Sequence, residues 1–190
     1  ITQFGTKKQK EKYLPQIVNG KITTAVAVDE SSHHNPINSE MKASIKDDKY
    51  VLEGKKTFVV DGASADLLIV LVRTSGNPGD ETGLSLFIVD SNEEGISKIK
   101  LDMADSRNYA NIIFSNVSVS KDQLLGDAES GGETIERILD IGRIAMSAEM
   151  LGNAEAAFET TLEYLKQRKQ FGVLIGTFQA LQHRAAEMFC

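Results

Sequence analysis

The feature that most limits the possible folds is a change of period near Glu133. Before it, over residues 23–119, apolar residues alternate or fall into short runs bounded by Gly, Asp, Asn and Pro. After it, Ile135, Ile138, Ile141, Ile144, Ala148, Leu151, Ala154, Phe158, Leu162 and Leu165 recur at steps of three or four, the spacing of a helix face. Strand candidates fall at 23–28, 50–52, 57–60, 66–73, 84–89, 96–101 and 111–119, with Glu53-Gly54 and Asp61-Gly62 as turns between them. Short strands in succession without intervening helices imply an antiparallel barrel or sandwich and exclude a βαβ sheet. A helix of more than thirty residues belongs to a bundle. The expected fold class is therefore α+β: an antiparallel β-barrel or sandwich followed by long antiparallel helices of a truncated bundle.

Residues 4–19 read as a short helix with Thr6 as N-cap and with Pro15 limiting its continuation. Gly142 and Gly152 interrupt the long helical pattern, which points to close approach by a neighbour. The chain opens at Ile1 and closes inside a helical pattern at Cys190, so it reads as the central piece of a longer protein. The expected divisions are 1–21, the end of a helical domain; 22–126, a β-domain; and 127–190, the first part of a helical bundle.

Charge and composition exclude several classes of partner. A net charge of -6, with Lys and Arg spread along the chain, argues against nucleic acid. No apolar run is long enough to span a bilayer. Cys190 is the sole cysteine, compatible with a reducing compartment, and the expected location is cytoplasmic. His33 and His34 are adjacent on a polar loop without Cys or His at ligand spacing, so no metal site is expected.

The stretch Arg168-Lys169-Gln170-Phe171-Gly172, followed by Phe178-Gln179, admits two readings. A guanidinium fork beside an aromatic and a new helix N-terminus suits an anion. Equally, Arg168 and Lys169 can complement the negative end of the preceding helix.

Taken with that stretch, Phe4-Gly5-Thr6, Lys12-Tyr13-Leu14-Pro15, Leu52 to Val60 (Leu-Glu-Gly-Lys-Lys-Thr-Phe-Val-Val), Ala65-Asp66, Arg73 and Phe114-Ser115-Asn116-Val117-Ser118-Val119 make the chain resemble the acyl-CoA dehydrogenase family of flavoproteins along essentially its whole length. The resemblance implies a helical domain, a middle β-domain and a four-helix bundle, with FAD between the last two. It implies an enzyme that removes hydrogen from the α and β carbons of an acyl-CoA thioester and assembles as a dimer or tetramer. It places a flavin loop on residues 26–35, with Val26, Val28 and Asp29 at the cofactor, and further flavin contacts at Phe58 and Val60. Arg168, supported by Phe171 and Gln179, would reach the pyrophosphate or adenine end of FAD from a neighbouring subunit. Substrate contacts would fall at Asn35 and Arg143.

The departures from the family pattern are specific. Where the family usually shows Thr-Glu-Pro and then Gly-Ser-Asp, this chain has Asp29-Glu30-Ser31 and His34-Asn35-Pro36. Asp29 puts an anion where a neutral hydroxyl is usual, and an anion there repels charge developing on reduced flavin. Val60 has no side-chain donor. The family's catalytic glutamate usually lies beyond the position of residue 190; a minority carry it on the first long helix, at the position of Gly142. No catalytic residue is therefore expected within this span. The opposing expectation is a non-catalytic paralogue that serves an active subunit as an assembly or regulatory partner.

Overall fold

The structure, a computed structural model, describes residues 1–190, which fall into two compact units, Ile1–Arg137 and Ile138–Cys190. In the first, helix α1 (Lys7–Val18) starts at a reciprocal cap. The Gln9 amide N–H donates to Thr6 Oγ1 at 3.2 Å, and the Thr6 N–H donates to Gln9 Oε1 at 2.9 Å. The Gln9 side-chain amide then donates to the carbonyls of Asp122 and Leu124 at 2.9 and 2.8 Å, which fastens the helix to the β-domain. Helix α1 ends at Val18, inside the expected 4–19, and Pro15 sits within its last turn. The missing N–H removes one bond near the end of a short helix, and the turn closes instead through the Asn19 and Gly20 amides on Pro15 and Ile17.

Seven strands form one curled sheet: β1 (Thr24–Ala27), β2 (Lys42–Lys46), β3 (Lys49–Val59), β4 (Leu67–Arg73), β5 (Leu84–Asp90), β6 (Ile96–Lys100) and β7 (Ala110–Val119). The order is β1-β4-β2-β3-β7-β6, with β5 also on β4. Every residue of β4 is buried, as its unbroken apolar run requires. Its neighbour β1 lies parallel to it, Val26 opposite Ile69. The sheet is thus mixed, because the excursion through β2 and β3 is long enough to act as a crossover. Leu52, Leu68, Val70, Phe87, Ile112, Phe114 and Val117 fill the core.

Two strand readings are corrected. Glu53-Gly54 is not a turn: 49–59 is one strand, with a bulge between Leu52 and Gly54 in its pairing with β7. Gly54 has φ +144°, and a Cβ there would stand 2.9 Å from Met41 Cγ and 3.0 Å from its Cα, so the bulge needs glycine. Strand β2 escaped the pattern because only Ala43 of its five residues is buried. It turns into β3 through Asp47 and Asp48, both with positive φ, a compact hairpin without the usual Asn-Gly signature.

The second unit contains most of α2 (Gly131–Gln167), then a small hairpin of β8 (Lys169–Gln170) and β9 (Val173–Leu174), then α3 (Gln179–Phe189). Ile144 and Leu151 on α2 are about 70% exposed, so its apolar stripe is not covered within this chain. At Gly142 and Gly152 nothing beyond the adjacent residues and the helix's own backbone lies within 4 Å of where a Cβ would stand; the expected close neighbour is not supplied from within. No helix is long and apolar enough to cross a membrane.

Candidate functional site

In the first unit, the loop after β1 is clasped to the end of β3. Val26 is half-buried and Val28 is buried. The Asp29 carbonyl accepts from the Thr57 N–H at 2.7 Å, and the Ser31 carbonyl accepts from Thr57 Oγ1 at 3.3 Å. One residue further, β3 bulges a second time between Lys56 and Val59. Phe58 takes φ +53°, its N–H donates to Asn111 Oδ1 at 3.0 Å, and its ring tilts over Tyr109 with centroids 4.7 Å apart. The bulge buries Val59 and leaves Phe58 and Val60 exposed. The structure therefore joins Asp29 and Ser31 to Thr57, the residue before Phe58. Asn35 is exposed at the start of a short 3-10 turn, Pro36–Asn38. A cleft of about 590 Å³ opens beside the loop, with Val28, Ser31, His33, Asn35, Met41 and Lys55 in its wall.

Three polar residues that build this site had no assigned role in the sequence. Lys56 is completely buried; its ammonium donates to Glu30 Oε1 at 2.6 Å, to the Val28 carbonyl at 3.0 Å and to Ser39 Oγ at 3.1 Å. Glu30 also accepts from Ser39 Oγ at 2.6 Å and from the Glu40 and Met41 amides at 2.7 and 3.1 Å. Burial pushes the Glu30 carboxyl up, but the Lys56 charge and these hydrogen bonds outweigh it and hold the carboxyl below its ordinary range. Burial pushes the Lys56 ammonium down, and Glu30 opposes that only in part, consistent with Lys56 being the more buried partner. The third residue, Arg73, ends β4 and donates to the carbonyls of Ile37, Ser39, Ser75, Asp80 and Thr82. One signal was available: Lys56 follows Leu52 and Gly54 at the two-residue spacing of an inward face, where an unpaired charge cannot stay.

The Asp29 carboxylate is not bare. His34 Nδ1 lies 2.9 Å from both of its oxygens. A carboxylate only accepts, so Nδ1 carries the proton.

In the second unit, Arg168 follows the last turn of α2. Its N–H donates to the Tyr164 carbonyl and its carbonyl accepts from Ile175, both at 2.9 Å, while the side chain is exposed. Phe171 and Gly172 form the hairpin tip, both with positive φ, and leave Phe171 91% exposed, edge-on to Phe178 at 6.3 Å. Gln179 opens α3. These three residues share one corner. Gly142 and Arg143 lie well back along α2, where Arg143 donates to Asp140 at 2.6 Å.

Residues 27–117 match the model of the acyl-CoA dehydrogenase middle domain, and residues 129–190 match that of the acyl-CoA dehydrogenase C-terminal domain. The chain is 37% identical over 189 residues to a 3-(aryl)acrylate reductase of Clostridium sporogenes, covering 97% of this chain and 50% of that protein. It superposes on butyryl-CoA dehydrogenase from Megasphaera elsdenii with a TM-score of 0.92 at 34% identity, over 100% of this chain and 50% of the other. The FAD complex of PigA gives 0.91 at 29%, over 98% and 50%. The chain thus spans about half the length of the proteins it matches. Matches to both family models, together covering the β-domain and the helices after it, show that the chain belongs to the acyl-CoA dehydrogenase family.

Proposed function

We propose that this protein is an FAD-dependent oxidoreductase acting on the α,β carbon pair of an acyl-CoA thioester. The observation that carries the reading is the clasp of Asp29 to Thr57, the residue just before the exposed Phe58. The residues present leave room for a flavin. An exposed aromatic borders the loop, and the one carboxylate in that loop with a chance of opposing a reduced flavin is already engaged by His34. When bound, FAD supplies the two-electron acceptor for the hydride of the acyl β carbon. Val26, Val28, Asp29, Phe58 and Val60 hold the ring side. Arg168 grips the pyrophosphate or adenine end in a homo-oligomer, with Phe171 and Gln179 supporting it, because a guanidinium fork suits phosphate oxygens and an aromatic suits a flat ring. Asn35 and Arg143 are the candidates for contact with the thioester. The α proton needs a carboxylate base, and Gly142 does not provide one.

Residues 22–126 act as the middle β-domain, 127–190 as the start of the bundle, and 1–21 as the end of the preceding helical domain. A second reading, a non-catalytic subunit in a hetero-oligomer, is favoured by Val60, whose exposed side chain offers the flavin no hydrogen bond. Anaerobic titration of the full-length protein with acyl-CoA thioesters of varied chain length, aryl-substituted ones included, separates the two. Bleaching of the visible flavin band by at least one thioester is expected. A flavin that no thioester reduces, and that once chemically reduced no 2,3-enoyl thioester or 3-arylacrylate reoxidises, sinks the enzyme reading.

A further inference from the structure

We propose that His34 and Asp29 form a hydrogen-bonded pair that lets this loop accept FAD despite carrying a carboxylate, with His34 as the positioning residue. This inference rests on the flavin reading of the 26–35 loop. Both residues depart from the family pattern, and the structure joins them: one imidazole N–H spans both carboxylate oxygens at 2.9 Å. Two departures that meet in a hydrogen bond are more simply read as one exchange than as two losses.

The pair has little to do for the fold itself. The Asp29 side chain is 30% exposed and that of His34 49% exposed, and such pairs contribute only about 0–1 kcal/mol in water. A flat cofactor laid over the loop changes this, because it removes water from the carboxylate. An anion without a partner then loses its hydration and stands near the charge that accumulates on a reduced flavin. With Nδ1–H donated to Asp29, the carboxylate keeps a hydrogen-bond partner when water leaves, and its charge is drawn toward the imidazole. Asp29 is held in addition by its own main chain, through the Thr57 N–H on its carbonyl. The buried Lys56 ammonium of β3 also acts on the Asp29 carboxylate through space, but the hydrogen bond to its oxygens comes from within the loop. His34, five residues later, is that donor.

The test is a four-protein cycle in the full-length protein: wild type, Asp29→Asn, His34→Ala and the double variant. FAD affinity of the apoprotein and the reduction potential of the bound flavin are the readouts. His34→Ala alone is expected to weaken FAD binding roughly 5- to 30-fold, the range of a 1–2 kcal/mol loss, and to shift the potential to more negative values. Asp29→Asn is expected to change affinity less than about 3-fold, and the double variant to match Asp29→Asn. His34→Gln, which keeps a neutral donor, should lose less than His34→Ala. Unfolding of the four apoproteins should coincide closely, which separates a cofactor role from a structural one. FAD binding with additive effects of the two changes, or with no effect of His34→Ala, overturns the pair alone. No FAD binding by any of the four proteins overturns the flavin reading, and the pair with it.

Discussion

Lys56→Met is expected to cost about 3–5 kcal/mol of folding stability, the loss typical when one partner of a buried ion pair is removed. Glu30 would then hold its carboxylate at 15% side-chain exposure without the cation 2.6 Å away. Adding Glu30→Gln should return much of the loss, because an amide can stay near Ser39 and the Glu40 and Met41 amides without a charge. Urea unfolding of the full-length variants measures both effects, and an additive double variant would contradict the pairing. The pH dependence has a definite sign. The Glu30 carboxyl is held below its ordinary range in the folded state, so its contribution is fully present above its unfolded pKa, about 4.3. It is lost as the pH falls through the lower folded value. In Lys56→Met this acid limb should flatten or reverse, since protonation then relieves a buried charge. Loss of the network also frees the Val28 carbonyl, so loosening of the loop should accompany the loss of stability.

Arg73→Ala is the second large effect. Arg73 is 4% exposed, and its guanidinium serves five carbonyls, from Ile37 at 2.6 Å to Ser75 at 3.4 Å. Hydrogen bonds to a charged group contribute about 1.5–3 kcal/mol each, and water entering the space would recover part of that. A net loss of at least about 3 kcal/mol is expected on that basis, with the 37–39 and 75–82 segments becoming susceptible to protease. Arg73→Lys should restore little, because an ammonium cannot reach carbonyls spread around a planar fork. Limited proteolysis with urea unfolding tests this; a resistant and stable Arg73→Ala would show that the carbonyls are satisfied without the guanidinium.

Much of the fold was legible because its signals are local. The buried run of β4 and the three-and-four spacing of α2 each name their own element. The β1–β4 pairing was not legible, since nothing in residues 24–27 records which distant strand lies alongside. Strand β2 hid because its faces are mostly solvated, and β3 was divided because a glycine required by a bulge looks like one required by a turn. At the candidate site, Phe58 was marked only by the family resemblance, and Arg168 stood out by its residue type at the end of a helical pattern with two readings open. The supports were not legible. Lys56 with Glu30 joins β3 to the loop after β1, Arg73 joins two loops, and His34 with Asp29 closes a contact that no spacing rule predicts. Asp29 shows the consequence: read singly it is an obstacle to flavin, and in the structure it is a hydrogen-bonded partner.

The most direct measurement is the visible absorption spectrum and flavin content of the full-length protein, purified without added cofactor and again after incubation with FAD. An oxidised-flavin spectrum and close to one FAD per chain, retained through gel filtration, are expected. A colourless protein that takes up no FAD even when it is supplied in excess would contradict the account and leave the non-catalytic reading standing.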